Sequence, residues 1–154
     1  MKLTNTYKNV SLMIKESLVG KLTQIALQNY PNESGGFLVG YYSEDFMTLH
    51  ITDFVLPQQQ KSSSFLFQRS IVGIKEVFNR LFAIKKYYYT GEWHTHPDGS
   101  SMYSQTDLKA MIEIATCETV NITNPILLIL SVSKNKLQDF SFYIYDNKGL
   151  YRYE

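Results

Sequence analysis

Apolar residues recur along this chain with two periods, and the switches between them lay out the elements. Leu18, Leu22, Ile25 and Leu27 fall at roughly helical spacing and predict a helix from about Ile14 to Asn29, closed by Tyr30-Pro31. A short extended segment over Tyr7 to Leu12 precedes it. After Gly35-Gly36, the run Phe37-Leu38-Val39 predicts a buried strand that continues to Tyr42. Partial alternation from Met47 to Leu56 predicts its antiparallel partner, joined through Ser43-Glu44-Asp45. Gln58 to Ser64 is polar and repetitive and reads as a loop near a substrate path, and Phe65 to Phe67 reads as a short strand. Ile71, Ile74, Val77, Phe78, Leu81 and Phe82 form a helical stripe that runs to Lys85. Beyond it come a strand over Tyr87 to Thr95 and a helix from Ser104 to about Thr116. Strands over Pro125 to Val132 and Phe140 to Tyr145 flank the turn Lys134-Asn135-Lys136, and a short strand over Leu150 to Tyr153 ends the order. No repeat or linker interrupts it. The prediction is a single mixed α/β (α+β) domain over residues 1–154, with a largely antiparallel sheet flanked by helices.

Composition narrows the function classes more than the fold. A chain of 154 residues can bury a sizeable core, and 44% hydrophobic against 19% charged residues excludes disorder of the whole chain. A net charge of +1 leaves no broad cationic footprint for nucleic acid. The longest apolar run, Ile126 to Leu130, is too short for a bilayer, which takes about 20 residues. Met1-Lys2-Leu3-Thr4-Asn5 lacks the basic-then-apolar pattern of a signal peptide. The expectation is a soluble, cytoplasmic protein with neither nucleic acid nor membrane as partner. The one cysteine, Cys117, rules out an internal disulfide framework and a Cys-rich zinc site. It falls at a helix end and reads as a small buried hydrophobe rather than a nucleophile.

The chemistry is concentrated in Glu92-Trp93-His94-Thr95-His96-Pro97, followed by Ser104 and Asp107. On a strand of period two, His94 and His96 point to one face and Glu92 shares it, while Trp93 and Thr95 point to the other, toward a core. Pro97 ends the strand by removing a ladder donor. Asp107, in the first turn of the next helix, can turn its carboxylate back toward the strand end. Two neutral imidazoles and a carboxylate form a ligand set that zinc accepts, with the fourth tetrahedral position left to water as in a catalytic site. The plain reading of Ser104-Gln105-Thr106-Asp107 is a capping box, which is compatible with both roles. A His-x-His pair alone is weak, since surface strands often carry one; His50 stands alone in its strand and reads as structural. Hydrolysis also requires a base that is not a ligand. Glu33, ahead of two glycines and a buried strand, is the first candidate, although an exposed loop Glu is the plainer reading. Glu92 rivals it by parity with the histidines, and Asp98 is a weaker rival beside Gly99 that suits a turn.

Taken together these residues resemble the JAMM motif of the JAB/MPN metalloprotease family: Glu33, then His94-Thr95-His96, seven residues, Ser104, two residues, and Asp107. Tyr30-Pro31-Asn32-Glu33-Ser34-Gly35-Gly36-Phe37-Leu38-Val39-Gly40 is similar to the family's segment around its Glu. The resemblance implies a layering like that of cytidine deaminases. It also implies one Zn2+ held by His94, His96 and Asp107, with a catalytic water. Glu33 becomes the general acid/base in preference to Glu92, and Ser104 a donor to the tetrahedral oxyanion. The implied activity is zinc-dependent hydrolysis of peptide or isopeptide bonds at the C-terminus of a ubiquitin-like or analogous conjugated protein.

The compactness of the chain and Gly91-Glu92-Trp93-His94-Thr95-His96-Pro97 resemble the prokaryotic branch, in particular deconjugating proteases of bacterial anti-phage operons. There the implied partners are an E1/E2-like enzyme and a nucleotidyltransferase. Two other readings keep the fold: processing of a sulfur-carrier-type protein, or a non-catalytic scaffold, which predicts a broken metal set. The sequence has no His-Glu-x-x-His of a zincin and, with one cysteine, no Pro-Cys-x-x-Cys of a nucleobase deaminase.

Overall fold

In a computed structural model that describes residues 1–57 and 66–154, the chain forms a mixed eight-stranded sheet with three helices. The strands are β1 (Lys2–Asn5), β2 (Val10–Ile14), β3 (Gly35–Tyr42), β4 (Thr48–Val55), β5 (Tyr88–Pro97), β6 (Ile126–Ser133), β7 (Lys136–Asp146) and β8 (Gly149–Arg152). The helices are α1 (Glu16–Asn29), α2 (Leu66–Lys85) and α3 (Gln105–Thr116). Spatial order across the sheet is β1-β2-β4-β3-β5-β6-β7-β8. Only β2/β4 and β5/β6 run parallel, so the predicted antiparallel bias holds. Backbone hydrogen bonds in both directions between Thr4 and Glu154, 2.7 and 2.9 Å, tie β1 to the far end of the sheet.

The strand β6 explains why its sequence is an unbroken apolar run. Ile126, Leu128, Leu130 and Val132 point into a core with Leu18, Val19, Leu22 and Ala26 of α1. The alternate residues Leu127 and Ile129 point into a second core with Met111 and Ile114 of α3. A strand covered on both faces has no polar side to display. The core on the α1 side also contains Trp93, which is fully buried. Its register partner is Gly36, where a side chain would come within 2.9 Å of the indole nitrogen and 2.7 Å of the Val55 carbonyl.

Several boundaries differ from those read in the sequence. The first extended segment lies at Val10–Ile14 rather than Tyr7 to Leu12, and α1 begins at Glu16. The strand β1 went unpredicted because four residues of mixed polarity carry too little periodicity. The short strand expected over Phe65 to Phe67 does not form at its described residues, where Leu66 and Phe67 open α2; Phe65 lies outside the described residues. The apolar triplet was too short to distinguish strand from helix. The expected loop Gln58 to Ser64 lies outside the described residues. In α2, Ile74 is buried and Phe78 meets Phe37 edge on, while Val77 and Phe82 at the stripe's margin stay exposed. Among the described residues no helix is long and apolar enough to cross a membrane.

Candidate metal centre

The site begins with a break in β5. Gly91 has φ +148°, and a Cβ there would lie 1.9 Å from the Ile126 carbonyl oxygen. Only glycine permits that approach, and the β3/β5 register shifts between Leu38 and Val39 at the same place. Such a bulge re-aims the residues beyond it. From Glu92 to Pro97, β5 then pairs with β6 without a break, His94 opposite Ile129 and His96 opposite Ser131. Trp93 and Thr95 are fully buried on one face, and the histidines, half-buried, point to the other. That is the parity read from the sequence.

Asp107 arrives from α3, as predicted. Ser104 is the N-cap: its hydroxyl accepts from the Asp107 backbone N–H at 3.2 Å, and the Asp107 carboxylate accepts from the Ser104 N–H at 2.6 Å. The Ser104 hydroxyl also donates to Asp107 Oδ2 at 2.7 Å. The cap and the candidate site are therefore one arrangement, because the box points the carboxylate back at the strand end. Asp107 Oδ1 lies 3.1 Å from His94 Nε2, and its Oδ2 lies 3.5 Å from His96 Nε2. The two Nε2 atoms are 3.0 Å apart. One donor atom from each of the three residues falls within 4.8 Å of the others.

This geometry fits a small divalent cation. Donors bound at about 2.0–2.1 Å in a tetrahedron stand roughly 3.3 Å from each other, and the separations here bracket that value. The donor set of two imidazoles and one carboxylate suits zinc among other first-row metals. Burial pushes the Asp107 carboxyl up, but hydrogen bonds from His94 and His96, followed by the histidine charge and the Ser104 N–H, overcome it. The carboxyl is held well below the usual carboxylate range and offers a charged oxygen. The hydrogen bond with Asp107 holds His96 above its ordinary value against desolvation. The Ser100 carbonyl and the charges of Asp107 and Glu33 add to it.

Glu33 comes from a different part of the chain. Ser34 and Thr95 exchange two hydrogen bonds: Ser34 N–H donates to Thr95 Oγ1 at 2.8 Å and Thr95 N–H donates to the Ser34 carbonyl at 2.9 Å. Gly35 pairs with His94. Glu33, exposed and one residue before this pairing, is thus brought to the end of β5, and its charge acts on His96. Of its rivals, Glu92 is 6% exposed, its Oε1 has no hydrogen-bond partner, and burial pushes its carboxyl up to about 8. Asp98 has φ 55° and accepts the Tyr30 hydroxyl at 2.8 Å, the turn role expected of it.

His50 lies on β4, stacked on Tyr41, apart from the group. Cys117 is the C-cap of α3, half-buried, with its thiol 3.2 Å from the Thr119 hydroxyl. A cavity of about 640 Å3 opens near the other end of β5, lined by Tyr42, Tyr88, Ile126 and Tyr153 among others, and contains none of the predicted site residues.

Sequence reasoning missed the groups that hold the site's loop. Tyr30 braces Asp98, and Ser131, Asp139, Ser141 and Tyr143 reach the segment Gly99 to Ser101 from β6 and β7. The available signal was polar residues inside otherwise apolar strands.

Residues 15–145 match the family described as prokaryotic homologs of the JAB domain. The chain belongs to the prokaryotic JAB family. Among curated relatives it is similar to the CD-NTase/cGAS isopeptidase of Enterobacter hormaechei subsp. hoffmannii (strain UCI 50), at 31% identity over 121 residues, or 78% of this chain and 67% of the relative. Among solved structures, a protein from Desulfitobacterium hafniense superposes with TM-score 0.64 at 16% identity, covering 92% of this chain and 88% of that one. A protein from Salinibacter ruber (strain DSM 13855) superposes with TM-score 0.59 at 14% identity, covering 92% and 87%. These two likenesses concern the fold. In this JAB chain the complete set Glu33, His94, His96, Ser104 and Asp107 stands at one end of β5 and the N-terminus of α3.

Proposed function

We propose that this JAB-family chain is a zinc-dependent isopeptidase that releases a conjugated protein at the C-terminus of a ubiquitin-like or analogous protein. The observation that carries the reading is the convergence of His94, His96 and Asp107, with Glu33 delivered beside them by a separate strand. The relative named a CD-NTase/cGAS isopeptidase supports a conjugated nucleotidyltransferase as substrate; an E1/E2-like enzyme as the source of the conjugate is part of the proposal.

When bound at His94, His96 and Asp107, zinc supplies a Lewis acid that polarises the scissile carbonyl and lowers the pKa of the attacking water. The chain's own groups do the rest. Glu33 takes a proton from the attacking water as the new C–O bond forms and returns it to the leaving amine as the C–N bond breaks. The products are a free C-terminal carboxylate and an amine. The Ser104 hydroxyl, beside Asp107, donates to the substrate oxygen that gains negative charge. For that it turns its single proton away from Asp107 Oδ2, which keeps the Ser104 N–H. Glu92, buried and 6% exposed, is poorly placed to exchange this proton with solvent and substrate.

The purified protein is expected to carry about one zinc per chain by elemental analysis. It should cut a linear or isopeptide-linked fusion of a ubiquitin-like protein after that protein's last residue, and a chelator should stop it. Glu33→Gln should lower the cleavage rate by about 10²–10⁴-fold with the metal retained. Full activity in that variant, or a protein that takes up no metal, would overturn the proposal.

A further inference from the structure

We infer that Ser101 is a positioning residue for the metal centre: anchored by Asp139, Ser141 and Tyr143 of β7, it fixes the Ser100 carbonyl that keeps His96 in its metal-ready tautomer. The inference rests on the proposed metal reading but reaches residues outside the motif.

The chain of contacts is short. His96 Nδ1 lies 2.8 Å from the Ser100 carbonyl oxygen. A carbonyl only accepts, so Nδ1 carries the proton, and in neutral imidazole this leaves the lone pair on Nε2. Nε2 is the nitrogen that faces His94 and Asp107. The tautomer is therefore set by where the Ser100 carbonyl points. Ser100 itself is exposed and its backbone is free to turn unless something beside it is held.

Ser101 is held on both sides of its α-carbon. Its hydroxyl, on a residue 4% exposed, donates to Asp139 Oδ2 at 2.5 Å and lies 2.8 Å from the Ser141 hydroxyl. Its carbonyl accepts the Tyr143 hydroxyl at 2.9 Å. Asp139, Ser141 and Tyr143 alternate along β7 and so share one face, the face that α3 covers. Upstream, the Gly99 carbonyl accepts the Ser131 hydroxyl at 2.5 Å, and Asp98 N–H donates to the Val132 carbonyl at 2.8 Å.

This polar row sits at the rim of an apolar core, where a hydrocarbon side chain at position 101 would pack without any desolvation cost. A side chain in such a packing fixes volume but not peptide orientation. Hydrogen bonds to the side chain and the carbonyl hold Ser101 from its α-carbon onward, and the Ser131 hydroxyl holds the Gly99 carbonyl before it. The chain is pinned on either side of the 100–101 peptide, which restricts its rotation and keeps the Ser100 carbonyl aimed at His96. The same anchor lies three residues before Ser104, whose cap aims Asp107. Partners of metal-bound histidines commonly govern metal affinity to this degree.

The test measures zinc affinity on the metal-free full chain by competition with a chromophoric chelator, and the His96 tautomer by nitrogen chemical shifts at a pH where the ring is neutral. Ser101→Ala is expected to weaken zinc binding by about 10–100-fold. In the metal-free variant the Nδ1–H share of the neutral His96 ring should fall relative to the wild-type protein. Asp139→Ala changes an exposed residue and keeps the fold, so it covers the case in which Ser101→Ala fails to fold; it should weaken zinc by roughly three- to tenfold. Val19→Ala, a cavity on the opposite face of the sheet, should lower stability and leave both readouts unchanged. Wild-type zinc affinity with an unshifted tautomer in Ser101→Ala and Asp139→Ala would overturn the inference. Failure of the wild-type protein to bind zinc would overturn the metal reading instead, and the tautomer measurement would still decide the role of Ser101.

Discussion

Ser104 carries two duties in one side chain, and they can be separated. As an N-cap it satisfies the Asp107 N–H, and in the proposed mechanism its hydroxyl, beside the proposed metal ligands, donates to a substrate oxygen. Ser104→Ala removes both and is expected to cost about 1 kcal/mol of stability and about 10²–10³-fold in kcat. Ser104→Asp restores a capping acceptor without a hydroxyl proton at neutral pH. Thermal denaturation should therefore recover while cleavage does not, and joint recovery would remove the oxyanion role. The brace from Tyr30 to Asp98 belongs to the same scale. It ties the segment just before Glu33 to Asp98, whose N–H is already held by the Val132 carbonyl, so its loss frees the proposed base more than the proposed ligands. Tyr30→Phe should lower kcat by roughly two- to tenfold with zinc affinity unchanged; a change in affinity with constant kcat would show that the brace acts elsewhere.

Among the elements, β5 decides most. Its parity beyond Gly91 sends Trp93 and Thr95 into one core and the two histidines to the other face. Gly91→Ala places a Cβ against the Ile126 carbonyl at a φ that L side chains rarely adopt. The expected result is a loss of several kcal/mol or an insoluble protein, read by chemical denaturation; a stable variant that still binds zinc would mean that the bulge is dispensable. The parity of His94 and His96, the cap at Ser104 and the strand at β6 were legible because each is a local pattern of period or spacing. The bulge at Gly91 was not, since its cause is the approach of β6, a partner distant in the chain. The loop anchors Asp139, Ser141 and Tyr143 were illegible for the same reason: a polar residue on a strand does not announce which backbone group it will meet. Phe65 to Phe67 failed differently, because three residues hold less than one helical turn.

At the scale of the whole molecule, Thr4 and Glu154 join the two ends of the sheet, and the two cores share β6 as a common wall. We propose that residues 1–154 unfold as one cooperative unit. Fluorescence of the single tryptophan, Trp93, which reports the core under α1, should then follow the same denaturation curve as far-UV circular dichroism. Two separated transitions would divide the chain into independent parts.

The pairing of Ser34 with Thr95 sets the spacing between Glu33 and the histidine pair. That distance is counted in rungs of the β3/β5 ladder, not in the length of chain that runs from Tyr42 round to Tyr88. Lengthening, shortening or replacing the intervening β3–β4 turn or the surface of α2 leaves the rungs where they are. A slip of one rung would move Glu33 by about 3.4 Å and turn neighbouring side chains to the wrong face. Insertions between β3 and β5 can therefore vary without disturbing the spacing that the proposed hydrolysis requires.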